Sequence, residues 1–152
     1  RGVPPGRELL IVGNDDVARA LAKFGRLLDF QITIIDPLLN KSDIPDADRI
    51  IHEMDLTKAN VSTSTYIVVA SRGRFDEDAL QQAVTTSAQY VALLGSKKRG
   101  GEIIQRLRKR NTAEAPLERI RCPAGLELHA ETPEEIALSI IAEIVQVDRS
   151  EV

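Results

Sequence analysis

Short, mostly apolar runs alternate along the chain with stretches whose apolar residues recur at helical spacing. The first run, residues 9–12 (Leu-Leu-Ile-Val), stops at Gly13. Val17, Leu21, Phe24 and Leu28 then share one helical face, and a second run, residues 32–35 (Ile-Thr-Ile-Ile), ends at Asp36. Further runs lie at 66–70 and 90–94, with shorter candidates at 50–52 and 119–122. Between them, residues 76–87 predict a helix with Leu80, Ala83 and Val84 inward. Ile103, Ile104 and Leu107 mark a helix with a basic outer face, and Ile136, Ile140 and Ile144 mark a last one. Runs without polar alternation fit strands buried on both faces, and their alternation with helices argues for a parallel sheet covered on both sides. The expected fold class is therefore α/β: a doubly wound, mostly parallel, Rossmann-like sheet in three layers. Residues 1–152 read as one domain, with 1–8 a flexible or trimmed start. Residues 38–64 are the least patterned, and Pro116 and Pro123 read as bracketing a loop.

Strand, tight turn, helix, strand and acid follow one another over residues 7–36. Asp36 lies 23 positions after Gly13 (36 − 13), about where a ribose-binding carboxylate belongs. The usual G-x-G-x-x-G keeps only its first glycine. Asp15 and Ala18 hold the other two positions, and Asp16 stands beside them. Backbone amides at a helix start attract phosphate. Two carboxylates there already satisfy that positive end and repel a pyrophosphate. Asp36 itself has two readings, a ribose acceptor or the start of a turn at Pro37.

Ligands of open α/β sheets bind beyond the carboxyl ends of the strands. Four such ends are legible: 13–16, 36–37, 71–74 and 95–99. With the usual strand order, residues 71–74 face Gly13. The segment 95–101 (Gly-Ser-Lys-Lys-Arg-Gly-Gly) is the best anion candidate. Ser96 can cap a following helix. Lys97, Lys98 and Arg99 then sit at its positive end, each costing roughly 0.3–1 kcal/mol. Gly100 and Gly101 weaken a helix start by about 1 kcal/mol each. One reading is a flexible basic loop, with Gly95, Ser96, Lys97, Lys98 and Arg99 kept for an anion. The other is a solvated basic turn, with the helix beginning after Gly101. Arg72 and Arg74 around Gly73 either clamp phosphate or pair with Asp76, Glu77 or Asp78.

Composition narrows the options. A net charge of −3 and 3% aromatic residues make no case for a nucleic-acid partner. One cysteine excludes an internal disulfide and suits a reducing compartment. No apolar run approaches the ~18 residues of a membrane span, and residues 1–6 carry no signal-peptide pattern, so no membrane association and a cytoplasmic location are expected. His52, His129 and Cys122 lack metal-ligand spacing, and Cys122 reads as a small core residue. Thr132, Pro133 and Glu135 look catalytic at first but fit an N-cap, a first helical residue and a capping-box partner. No catalytic set and no metal site is legible.

Several segments together resemble the carboxy-terminal Rossmann domain of the XdhC/CoxI family, accessory proteins of xanthine and carbon-monoxide dehydrogenases. They are 11–21, 33–37, 69–80, 90–98, and 123–126 with 131–144, in that order. The resemblance implies a non-catalytic accessory protein of molybdenum-enzyme maturation. It would bind a molybdopterin-type molybdenum cofactor and hand it to a molybdenum-containing dehydrogenase apoenzyme. It also implies a homodimer, and a separate chain supplying the family's amino-terminal domain. Cofactor contacts are expected from Gly13, Asp36, Arg72, Gly73, Gly95, Ser96, Lys97, Lys98 and Arg99. Two departures stand out. Asp15 and Asp16 replace a glycine and a small or proline residue. Glu127, Leu128 and His129 replace Asp-Ile-Gly. The alternatives are an NAD(P)-binding oxidoreductase and a degenerate Rossmann module kept for assembly.

Overall fold

The computed structural model describes residues 6–39 and 44–150. Five strands of the sheet run β1 (Glu8–Val12), β2 (Gln31–Ile35), β3 (Arg49–Ile51), β4 (Thr65–Val69) and β5 (Tyr90–Leu93), and the two-residue β6 (Ile120–Arg121) closes one edge. Their order is β3-β2-β1-β4-β5-β6, and every pairing is parallel. β1 pairs in register with both neighbours: Val12 stands opposite Ile35 on β2 and Val69 on β4. The chain reverses direction across the sheet between β1 and β4, so their carboxyl ends form the switch point where such folds hold ligands.

Among the described residues five helices cover the sheet: α1 (Asp16–Leu27), α2 (Asp76–Ala83), α3 (Lys97–Lys109), α4 (Glu114–Leu117) and α5 (Pro133–Ser150), with a 3-10 turn at Leu56–Ala59. One core layer joins Leu9, Ile11, Ile34 and Val68 to Val17 and Leu21 of α1 and to Ile140 and Ile144 of α5. The opposite layer joins Leu10, Val12, Val69 and Leu93 to Leu80 of α2, Ile103 and Leu107 of α3, and Leu117 of α4. The period-2 side-chain alternation of a strand puts successive residues into the two layers. That is why the strands read as mostly apolar runs.

Several boundaries differ from expectation, each for a local reason. α2 ends at Ala83, not at Ser87. Thr86 bonds its hydroxyl to Ala83 O, and Arg119 donates to the carbonyls of Val84 and Thr86 at 2.7 Å, diverting the backbone from another turn. Pro116 lies inside α4 and not in a loop. Its missing N–H falls in a first turn, where no helical partner exists. Arg7 and Glu8 differ from a flexible start, being buried. Arg7 bonds Asp148 at 2.6 Å and lies over the Phe30 ring, and Glu8 accepts from the Thr33 and Thr65 hydroxyls. The remaining expectation for 1–5 falls outside the described residues, as do 40–43 of the poorly patterned 38–64 stretch.

α5 starts as its sequence suggests. Glu135 N donates to the Thr132 hydroxyl, and Thr132 N donates back to the Glu135 carboxylate, both at 3.1 Å. Two tyrosines then tie α5 to the sheet: Tyr66 donates to Asp148 at 2.8 Å and Tyr90 to Glu143 at 2.5 Å.

Candidate functional site

A cleft of about 620 Å³ opens at the carboxyl ends of β4 and β5. That lies within the roughly 300–1,000 Å³ of small-molecule sites. Arg72, Leu94, Gly95 and Arg99 form one wall. The other is the connection from β6 to α5, residues 123–128 with Ala130, backed by Ile136 and Ser139 of α5.

The far wall is stitched down along its length. Ala124 N donates to Leu93 O, Gly125 N to the Glu143 carboxylate, and Leu126 N to Ser139 O, at 3.0–3.1 Å. Gly125 has φ +98°, and a β-carbon there would strike the Ser139 side chain and the backbone of residues 139 and 140. Glycine is what lets the loop lie against α5. His129 occupies left-handed backbone at φ +55°, at the position where the resemblance leads one to expect glycine. It pairs loosely with Glu127 at 3.7 Å and is exposed.

The near wall begins with α3. The helix starts at Lys97 and is capped by Ser96, whose hydroxyl accepts from Arg99 N at 3.1 Å. This corrects both readings of 97–101: the stretch is neither a flexible loop nor a turn preceding a helix at 102. Gly100 is explained by packing, since a β-carbon there would lie 2.6 Å from Cys122 Sγ. Lys97 and Lys98 are exposed and outside the cleft, whereas Arg99 turns into it. Cys122 packs beside the core, and burial pushes its thiol up in pKa, against the pull of nearby Arg99.

Three aspartates at neighbouring strand ends each hold an arginine. Asp15 follows β1, caps α1 by accepting from Ala18 N at 3.0 Å, and pairs with Arg72. Asp36 follows β2, accepts from Leu38 N at 2.8 Å, and pairs with Arg74 at 3.4 Å. Asp76 opens α2 and pairs with Arg99 at 2.5 Å. Asp76 also accepts from Ser71 N at 3.1 Å, Gly73 N at 2.8 Å and the Ser71 hydroxyl. Its carboxylate thus fills the anion nest of its own loop. Gly73 and Gly95 flank the Arg99 guanidinium, their virtual β-carbons lying 3.2–3.3 Å from it, so both glycines make room for that arginine.

The nine expected contact residues therefore divide. Arg72, Gly95 and Arg99 line the cleft; Gly13, Asp36, Gly73, Ser96, Lys97 and Lys98 do not. Arg72 and Arg74 pair with Asp15 and Asp36 and not with residues 76–78, because the β1–β4 and β2–β1 adjacencies bring those acids closer. Asp36 is completely buried and starts the turn at Pro37. Gly13, at φ +125°, packs where a β-carbon would strike the Ala70 carbonyl, so it permits close strand approach. The 123–128 wall was missed as a site. Its signal was Gly125 followed by a long stretch without periodicity. Among the described residues no cluster of His, Cys, Asp and Glu could hold a metal ion, and no helix is long and apolar enough to cross a membrane.

Residues 9–144 match the family described as the XdhC Rossmann domain. The chain is 30% identical over 146 residues to the protein YqeB of Escherichia coli (strain K12), covering 91% of this chain and 27% of that protein. It is 26% identical over 151 residues to a probable xanthine dehydrogenase subunit of Bacillus subtilis (strain 168), covering 95% of this chain and 44% of that one. A crystal structure described as a xanthine dehydrogenase from Bacillus halodurans superposes with a TM-score of 0.83 at 26% identity, over 97% of this chain and 44% of the other. The chain thus spans less than half the length of each of these relatives. The chain belongs to the XdhC Rossmann domain family.

Proposed function

We propose that this chain is an accessory protein of a molybdenum-containing dehydrogenase, holding a molybdopterin-type cofactor in the cleft between Arg99 and the 123–128 wall. The observation that carries this reading is the pair of guanidinium groups, Arg72 and Arg99, on the rim of a cleft of about 620 Å³. A phosphate-bearing heterocycle fits that combination: arginine recognises phosphate. Leu94, Leu126, Leu128 and Ile136 offer apolar contact to the ring. The names of the Bacillus relatives support a place beside a xanthine dehydrogenase. Transfer to the apoenzyme, pairing with a chain bearing the family's amino-terminal domain, and a homodimer belong to the same proposal.

NAD(P) has less support. Asp36 is fully buried and engaged with Leu38 N and Arg74, so a ribose has no free carboxylate to meet. Asp15 takes the α1 cap, where a pyrophosphate would lie. A thermal-shift titration with molybdopterin-type cofactor beside NAD, NADP, ATP and CTP tests the reading. Cofactor at 100 times its dissociation constant adds about 2.7 kcal/mol, a rise of about 5–10 °C for a chain of this size. A rise with NAD or NADP alone would overturn it.

A further inference from the structure

The two cleft arginines are held with unequal firmness. Arg99 is locked, because its partner Asp76 is 1% exposed and takes three further hydrogen bonds from Ser71 and Gly73. Arg72 is 62% exposed, and its aspartate, Asp15, 23%. The two oxygens of Asp15 do different jobs. Oδ1 accepts from Ala18 N and caps α1, whereas Oδ2 takes Arg72 Nε. Releasing Arg72 therefore leaves the helix cap intact.

We infer that Asp15 is the resident counter-ion of Arg72 and sets the anion preference of the cleft. An anionic group entering the cleft takes the Arg72 guanidinium from Asp15, while Arg99 stays on Asp76 and keeps the near wall in place. This rests on the cleft being an anion site, as proposed above. The exchange is chemically even, one carboxylate traded for one phosphate oxygen on the same fork of donors. The pair joins the β1 and β4 loops, and of its two residues Arg72 is the one that lines the cleft. Asp15 has φ −76°, an ordinary backbone for any residue, so the position can be changed without backbone strain.

Inorganic phosphate is the probe, titrated into the unaltered protein, Asp15→Asn, Asp16→Asn, Arg72→Ala and the Asp15→Asn/Arg72→Ala pair. Asparagine keeps the cap, and Asp16→Asn makes the same change in charge one residue along. Binding is read from backbone amides of residues 124–128 and from the Arg72 Nε–Hε resonance. Asp15→Asn should bind phosphate about fivefold more tightly, the upper value of an exposed ion pair, with the Nε–Hε resonance moving on titration. Asp16→Asn should match the unaltered protein, and the double variant should fall to the level of Arg72→Ala. Equal binding by the unaltered protein and Asp15→Asn overturns the inference and leaves the cleft reading standing. A gain that Asp16→Asn reproduces, or that survives loss of Arg72, also overturns it. No phosphate binding by any form overturns the inference and the anionic-ligand reading together.

Discussion

At the carboxyl ends of β1 and β2, Asp15 and Asp36 turn back into the protein, onto Ala18 N and Leu38 N, and Gly13 packs against the Ala70 carbonyl. At the end of β4 Asp76 likewise takes the amides of Ser71 and Gly73, but beyond β5 the chain stands apart. Leu94, Gly95 and Arg99 face a loop anchored to α5, and the space between is the cleft. Both halves are built on strands of near-identical apolar character, so the difference lies in the residues just past each strand. A carboxylate within three residues of the strand closes β1 and β2. A long return connection through Gly125 holds β5 open. In this chain the strand ends of the first half pack against the protein, and a ligand-sized cleft lies at the other half.

Glycine substitutions give the largest expected contrast. Gly13→Ala strains a positive φ and drives a β-carbon into backbone between two central strands, which cannot give way. It should cost about 4 kcal/mol. Gly125→Ala also strains a positive φ, but its β-carbon meets first the Ser139 hydroxyl, the end of a side chain, so it should cost about 2 kcal/mol while weakening ligand binding in the cleft. Urea denaturation of both variants checks the order. A Gly13→Ala cost no greater than that of Gly125→Ala would break the distinction between a closed and an open half.

The ion pairs sharpen the same comparison at smaller scale. Asp76→Asn removes charge from a buried carboxylate facing Arg99. Breaking a fully buried pair costs about 3–5 kcal/mol. Arg99 is one-third exposed, which reduces the expectation to about 2 kcal/mol. Asp15→Asn keeps the cap and loses only an exposed pair, so its cost should stay under about 1 kcal/mol. Equal costs by the same denaturation assay would mean that Asp15 is as structural as Asp76.

The smallest effect concerns acid. Amide donation from Glu131 and Thr132 holds the Glu135 carboxyl below its usual 4.5. A depressed carboxyl stabilises the fold fully above its unfolded value and loses that contribution as pH falls through its lowered one. Exchange protection of the Glu131 and Thr132 amides should therefore hold above about pH 4.5 and fall below it. After correction for intrinsic exchange, Glu135→Gln should remove the pH dependence. Unchanged protection of these amides in acid would show that the α5 end of the cleft wall does not depend on this box.

Much of this was legible in the chain, and the reasons differ by element. The strands were visible because burial on both faces leaves few polar breaks, and the α5 box because Thr132 and Glu135 bond to each other within four residues, with Pro133 at the first helical position. Ser96 was legible as a cap for the same reason. The extent of α3 was not. Gly100 weakens a helix locally, and only the approach of Cys122 explains it. The partners of Arg72 and Arg74 were also out of reach, because nearby acids at 76–78 compete on paper with Asp15 and Asp36, which the sheet order brings close. Residues 123–129 entered the resemblance but were not legible as a cleft wall, because backbone hydrogen bonds to α5, and not side-chain chemistry, define it.

The most direct test follows backbone amides while molybdopterin-type cofactor is titrated into the isotope-labelled chain. Shifts are expected at Gly95, Arg99 and residues 124–128, with Gly13, Asn14 and Asp36 nearly still. Shifts centred on Gly13 to Asp16 and on Asp36, with the 124–128 wall unmoved, would return the ligand to the first half of the sheet and contradict a cleft at β4 and β5.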